Sequence, residues 1–175
     1  MFIDPVKTLA ACNIRASDAV ADFGAGSGAY TRAASRIATT GTVFAVEVHQ
    51  EMGHGLARAL KSEGINNVQV LWGDIEVPTG STLADHSVDF VIISNTLFQL
   101  EDRPGCAKEI HRVLKPGGRV LVVDWTESFG GMGPAPHHVF TPAMAHDLFE
   151  RAGFARRAED IPTGEHHYAI LFHKA

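Results

Sequence analysis

Apolar residues in this chain arrive in short runs, and between the runs apolar positions recur at helical spacing. Residues 19–23 (AVADF) predict a buried strand closed by glycines, and residues 29–38, rich in Ala, predict a helix with one apolar face. Residues 42–48 (TVFAVEV) predict a second strand, and 51–63 a helix ended by Gly64. A third strand over 68–72 stops at Gly73-Asp74. Residues 88–94 (VDFVIIS) are almost continuously apolar, as a strand covered on both faces must be. A helix over 103–114 is stopped by Pro116-Gly117-Gly118, and 119–124 (RVLVVD) predict a fifth strand. Ahead of all these, Asp4-Pro5 followed by Val6, Leu9, Ala10 and Ile14 predicts a short amphipathic helix with Asp4 as N-cap. Regular alternation of strand and helix implies a parallel sheet with right-handed crossovers.

The rhythm breaks after Asp124. Residues 125–140 (WTESFGGMGPAPHHVF) hold three glycines and two prolines, too many breakers for a regular element, and read as a long loop. A helix over 142–152, a strand over 154–160, a turn at 162–164 and a last strand over 167–172 follow. No helix separates the last two strands, so they are expected to be antiparallel. At 175 residues the chain reads as one domain. Its expected parts are an N-terminal helix (1–17), a cofactor-binding core (18–124), a substrate-side loop (125–140) and a C-terminal helix with a strand pair (141–175).

Composition narrows the function classes. Net charge is −5 and no basic run exceeds Arg156-Arg157, so the chain has no electrostatic footprint for nucleic acid. No apolar stretch approaches the length of a membrane span, and the N-terminus lacks the apolar segment of a signal peptide. Cys12 and Cys106 fit no metal spacing, and a reduced, cytoplasmic setting is the simpler expectation. Ten histidines include the adjacent pairs His137-His138 and His166-His167, but neighbours on a strand face opposite ways, and no metal site is expected.

Candidate chemistry starts at the stretch DFGAGSGAY, residues 22–30. Gly24, Gly26 and Gly28 lie between the first strand and a helix N-terminus, where an open parallel sheet places its ligand crevice. With Ala29 they match G-x-G-x-x-A, a dinucleotide fingerprint. Glu47 ends the second strand and suits a ribose, or is an ordinary strand-end acid. Asp74 is placed to accept from an adenine amine while Ile75 packs on the ring, or it is a turn Asp bonding its own backbone. Asp22, late in the first strand, needs a partner in either case.

The series VADFGAGSG (20–28), VFAVEV (43–48), WGDI (72–75), SVDFVIISNTLFQLED (87–102) and HRVLKPGGRVLVVD (111–124) resembles the class I S-adenosylmethionine-dependent methyltransferases. The resemblance implies a single α/β domain with a doubly wound, mostly parallel seven-stranded sheet, helices on both faces and an antiparallel last strand. It further implies S-adenosylmethionine as cofactor and S-adenosylhomocysteine as product. Asp22, with Gly24, Ala25, Gly26 and Gly28 beneath, would hold the methionine moiety, and Tyr30 would stand beside it. Glu47 would hold the ribose, Val48 would flank the adenine, and Gly73, Asp74 and Ile75 would complete its pocket. Ser94 and Asn95 would face the sulfonium, with Thr96 to Gln99 on the wall near the substrate. Many relatives carry a His near the position of Phe98 or Gln99; this chain has none there.

Methyl transfer from a sulfonium asks mainly for alignment, since positioning alone can account for roughly 7–11 kcal/mol. If the acceptor must lose a proton, His137 and His138 in the 125–140 loop are the candidate bases; the alternative is a solvated pair in a mobile loop. Trp125 and Phe129 either cover the site or pack beside the fifth strand. The short N-terminal extension favours a small or exposed acceptor, or a site shared with a partner chain such as a second copy in a homodimer. Two other functions compete: an NAD-dependent oxidoreductase, on the strength of G-x-G-x-x-A and Glu47, and a non-catalytic S-adenosylmethionine-binding module.

Overall fold

In the computed structural model, which describes residues 3–156 and 161–175, the apolar runs become strands and the helix-spaced stretches become helices. In chain order these are α1 (Pro5–Ala10), β1 (Val20–Phe23), α2 (Ala29–Ile37), β2 (Val43–Glu47), α3 (Gln50–Ser62), β3 (Val68–Trp72) and β4 (Val88–Ser94). Then come α4 (Arg103–Val113), β5 (Leu114–Trp125), α5 (Pro142–Arg151), β6 (Phe154–Arg156) and β7 (His167–Lys174). The strands form one sheet in the order β3-β2-β1-β4-β5-β7-β6. Strands β1 to β5 are parallel, β7 runs antiparallel to β5, and β6 antiparallel to β7. This is the doubly wound, mostly parallel α/β sheet implied by the alternation and the resemblance.

The all-apolar β4 shows why. Val91 and Ile93 pack with Ile110 and Val113 of α4 and Phe149 of α5 on one face of the sheet. The alternate residues Phe90 and Ile92 pack with Leu9 of α1 and Ala33 and Ala34 of α2 on the other. Successive strand residues point to opposite faces, so a strand covered twice must be apolar at both parities. Each fully buried Phe, Ile or Leu contributes about 1.5–3 kcal/mol. Leu56 and Leu60 of α3 add a smaller cluster against Ala45 of β2.

Three boundaries differ from the sequence reading. Helix α1 ends at Ala10, because Asn13 adopts a left-handed conformation (φ 52°) that a helix cannot continue through. Ile14 nonetheless packs on the same core. Strand β5 begins at Leu114: the breaker at Pro116-Gly117-Gly118 is a bulge opposite the register shift between Val88 and Phe90 of β4. Strand β6 covers Phe154–Arg156, and residues 157–160 of the expected strand lie outside the described residues. Among the described residues no helix is long and apolar enough to cross a membrane.

Candidate functional site

Consecutive parallel strands bring their carboxyl ends to one edge of the sheet, and this chain puts acids there. Asp22 is the third residue of β1, Glu47 the last of β2, and Asp74 follows the end of β3 by two positions. The strand order reverses between β1 and β4, the switch point at which such sheets leave a crevice. A cleft of about 780 Å3 opens over these tips. Asp22, Gly24, Ala25, Gly26 and Tyr30 form its wall along β1 and the start of α2. Glu47, Val48, Gly73, Asp74 and Ile75 continue it past β2 and β3, and Ser94 and Asn95 close it at the end of β4.

Within the glycine turn the positions differ in kind. Gly26 (φ 54°) is the open one: a Cβ there would meet nothing nearer than Gly24 O at 3.9 Å, so a ligand can lie against the bare backbone. Gly28 (φ 81°) is the N-cap residue of α2, stands off the cleft wall, and would drive a Cβ into Leu56 of α3. Its glycine serves helix packing.

The acids are held by the backbone. Glu47 ties the turn to β2: the Gly26 N–H donates to Oε2 and the His49 N–H to Oε1, both at 2.9 Å. A carboxylate has about four acceptor sites, so each oxygen keeps one for a ligand. Asp74 Oδ1 accepts from the Glu76 N–H at 2.9 Å, a local turn bond that leaves Oδ2 available among the described residues. The turn bond raised as the alternative for Asp74 is thus present, and one carboxylate oxygen stays open to a ligand. Asp22 is buried and accepts from the Thr31 hydroxyl at 2.6 Å. Burial pushes its carboxyl up to about 6; the bonds from Thr31 pull the other way, and the neighbouring Glu47 adds to the rise.

Two buried polar atoms on residues of the wall, Asn95 Oδ1 and His167 Nε2, have no hydrogen-bond partner among the described residues. Leaving such an atom unmatched costs about 1–3 kcal/mol. Both residues border the cleft, so an occupant that reaches these atoms removes the penalty. Asn95 is also held in a left-handed conformation (φ 53°), with its N–H donating to Val123 O at 2.8 Å. Among the described residues the wall carries four carboxylates, Asp22, Glu47, Asp74 and Glu76, and no Lys or Arg. Such a wall suits a ligand bearing positive charge and repels a pyrophosphate.

Thr96 and Gln99 also border the cleft, as expected of the stretch after β4. His137 and His138 do not: they sit exposed on a 3-10 turn (Pro136–His138), their rings 4.1 Å apart, away from the wall. His49, Met52, Glu76 and His167 also line the cleft, although none is among the expected site residues. Trp125, expected as either cover or core, is on the wall. His167 reaches it through the antiparallel register that sets it opposite Trp125, a long-range pairing without local signature. Among the described residues no group of three His, Cys, Asp or Glu could hold a metal ion.

Comparison with known proteins agrees with this geometry. Residues 21–122 match the model of a family described as a methyltransferase domain. The ubiquinone/menaquinone biosynthesis C-methyltransferase UbiE of Hydrogenovibrio crunogenus is 33% identical over 116 residues, covering 65% of this chain and 44% of that protein. Its namesake from Klebsiella pneumoniae subsp. pneumoniae is 30% identical over 122 residues, covering 69% of this chain and 47% of that protein. The chain thus spans about half the length of the curated relatives it matches. The crystal structure of an S-adenosylmethionine-dependent methyltransferase from Aquifex aeolicus superposes with a TM-score of 0.89 at 25% identity, covering 99% of this chain and 91% of that one.

Proposed function

The chain belongs to the S-adenosylmethionine-dependent methyltransferases, and on that footing we propose that it carries the methyl group of S-adenosylmethionine to a small-molecule acceptor. The observation that carries the reading is the cleft wall, where, among the described residues, four carboxylates and no Lys or Arg gather at the carboxyl ends of β1 to β3. Glu47 would take the ribose hydroxyls on its remaining acceptor sites. Asp74 and Ile75 would hold the adenine, with Val48 beside it and Gly73 keeping the turn close. Asp22, with Gly24, Ala25 and the bare backbone at Gly26, would hold the cationic methionine end, and Tyr30, Ser94 and Asn95 would border it. Bound there, the cofactor supplies a methyl group already activated on a positively charged sulfur.

What remains for the protein is placement, and a rigid sheet edge is suited to it. The relatives named C-methyltransferases favour carbon as the acceptor atom. A base role for His137 and His138 requires the 125–140 loop to carry them over the cleft. Cys12 and Cys106, both buried as thiols, accord with a reduced cytoplasmic setting. Isothermal titration tests the reading against its dinucleotide rival: S-adenosylhomocysteine should bind and NADH should not. Binding of NADH alone would overturn it. Transfer of label from methyl-labelled cofactor to an acceptor panel then distinguishes an enzyme from a non-catalytic binder.

A further inference from the structure

The cleft divides by chemistry. The segments up to β3 and its following turn supply all four carboxylates, whereas Ile3, Pro5, Thr96, Gln99, Trp125 and His167 also line the cleft, and no Asp, Glu, Lys or Arg from β4 onward does among the described residues. His167 opens β7 directly opposite Trp125 of β5, so the two side chains share one face of the sheet, with ring centroids 4.1 Å apart and planes inclined by 41°. The residue is 9% exposed and lines the cleft, and its buried Nε2 lacks a partner among the described residues. Its backbone is fixed: the N–H donates to Gly164 O (3.2 Å), and the Thr163 hydroxyl donates to its carbonyl (2.8 Å).

We propose that His167 is the residue that receives the methyl acceptor, its Nε2 taking a hydrogen bond from an O–H or N–H of an uncharged molecule that lies against Trp125. The inference rests on the methyl-transfer reading of the cleft and names the chemistry of the acceptor. A polar atom left unmatched inside a protein is a standing penalty, and an occupant that supplies a donor removes it. As the ring stands Nε2 is closed off, so the acceptor engages it by turning the ring toward the cleft that His167 lines. Burial foremost, then the neighbouring His166, takes the His167 imidazole down to about 4, so the ring stays neutral and keeps a lone pair at physiological pH. With no Lys or Arg on the wall among the described residues, a carboxylate or phosphate on the acceptor would lose its hydration without compensation.

The test uses probes on wild-type protein saturated with S-adenosylhomocysteine. Phenol offers an O–H, anisole lacks it, and 4-hydroxybenzoate adds a negative charge. In nitrogen-15 spectra of histidine-labelled protein, the His167 signals are those lost in His167→Ala. Phenol should move them and should be preferred over anisole roughly two- to tenfold, the worth of one net hydrogen bond; 4-hydroxybenzoate should bind more weakly than phenol on account of its charge. His167→Ala should erase that preference, and His167→Gln, whose amide oxygen can stand in for Nε2, should restore part of it. S-adenosylhomocysteine affinity should stay within about twofold in both variants. Equal binding of phenol and anisole, unmoved His167 signals, or a preference that survives His167→Ala overturns the proposal. Failure of the wild-type protein to bind S-adenosylhomocysteine overturns the methyl-transfer reading instead.

Discussion

Asp22 stands at a cost that a ligand can remove. Its carboxyl titrates at about 6 in the fold against 3.8 unperturbed, with burial as the main cause. An acid whose folded pKa is raised destabilises the fold once ionised. The penalty is absent below the unfolded value, grows as pH rises between the two, and is complete above the folded value, at about 3 kcal/mol. Asp22→Asn, which can still accept from the Thr31 hydroxyl, should therefore raise the ligand-free Tm by several degrees at pH 8, with the gain vanishing near pH 4. A lower Tm at pH 8 would show the ionised carboxylate to be favourably placed. A cation bound beside Asp22 favours its ionised form, so S-adenosylhomocysteine should release protons on binding near pH 6, read from titrations in buffers of different ionisation enthalpy. Asp74→Ala should weaken that ligand by about 1–3 kcal/mol, and unchanged affinity would remove the adenine assignment. Glu47→Ala should cost more, because the Gly26 and His49 N–H groups lose their acceptor as well. These acids were legible in the sequence because a strand end is a local feature: each lies within two residues of the point where an apolar run stops. His167 was not, because its place depends on strand register and its chemistry on burial.

The same contrast between local and long-range causes runs through the elements. Asp4, Asp102 and Thr141 each cap the N-terminus of a helix with a Pro in its first turn, and side-chain bonds to backbone N–H groups confirm all three starts. The bulge in β5 depends on pairing with β4, so the breaker at Pro116 concealed a strand beginning at Leu114. The glycine turn is a second case: spacing made Gly26 and Gly28 look alike, and only the position of α3 separates them. Gly28→Ala, which strains the left-handed backbone and meets Leu56, should lower the urea midpoint. Gly26→Ala should chiefly weaken S-adenosylhomocysteine; a reversed pattern would exchange their roles. The loop after β5 is tied to β7, since the Phe129 ring stacks on His166 at 3.7 Å and His166 Nδ1 lies 2.8 Å from Glu127 Oε1. Gly133 (φ 76°) faces the Trp125 ring, which a Cβ would approach to 2.6 Å. In a Trp72→Phe background, which leaves Trp125 as the one tryptophan, Gly133→Ala should shift the emission to the red as the loop lifts from the ring. An unchanged spectrum would mean that the loop does not shield the cleft.

For the molecule as a whole, sequence disclosed the class of the sheet and left its order to tertiary contacts. Alternating patterns reveal which segments are strands, and double coverage reveals that the strands are parallel, but neither says that β1 lies between β2 and β4 or that β7 inserts between β5 and β6. That insertion matters for cooperativity, because it binds the C-terminal pair to the cofactor-binding strands. Lys174 at the end of β7 reinforces it, donating to His111 O at 2.6 Å and Leu114 O at 2.7 Å where α4 passes into β5. A single cooperative unit makes a quantitative demand. A ligand that binds only the folded state, at a hundred times its Kd, stabilises by about 2.7 kcal/mol and slows global unfolding equilibria about a hundredfold. Amides that exchange only by global unfolding should gain that protection wherever they lie, in β7 as fully as in β1, when S-adenosylhomocysteine is added at that excess. Amides that exchange by local opening should gain protection only near the glycine turn and the strand tips. Slowing confined to β1–β4, with β7 unchanged, would show that the C-terminal pair unfolds on its own; His167 would then belong to a part of the molecule that the cofactor does not stabilise.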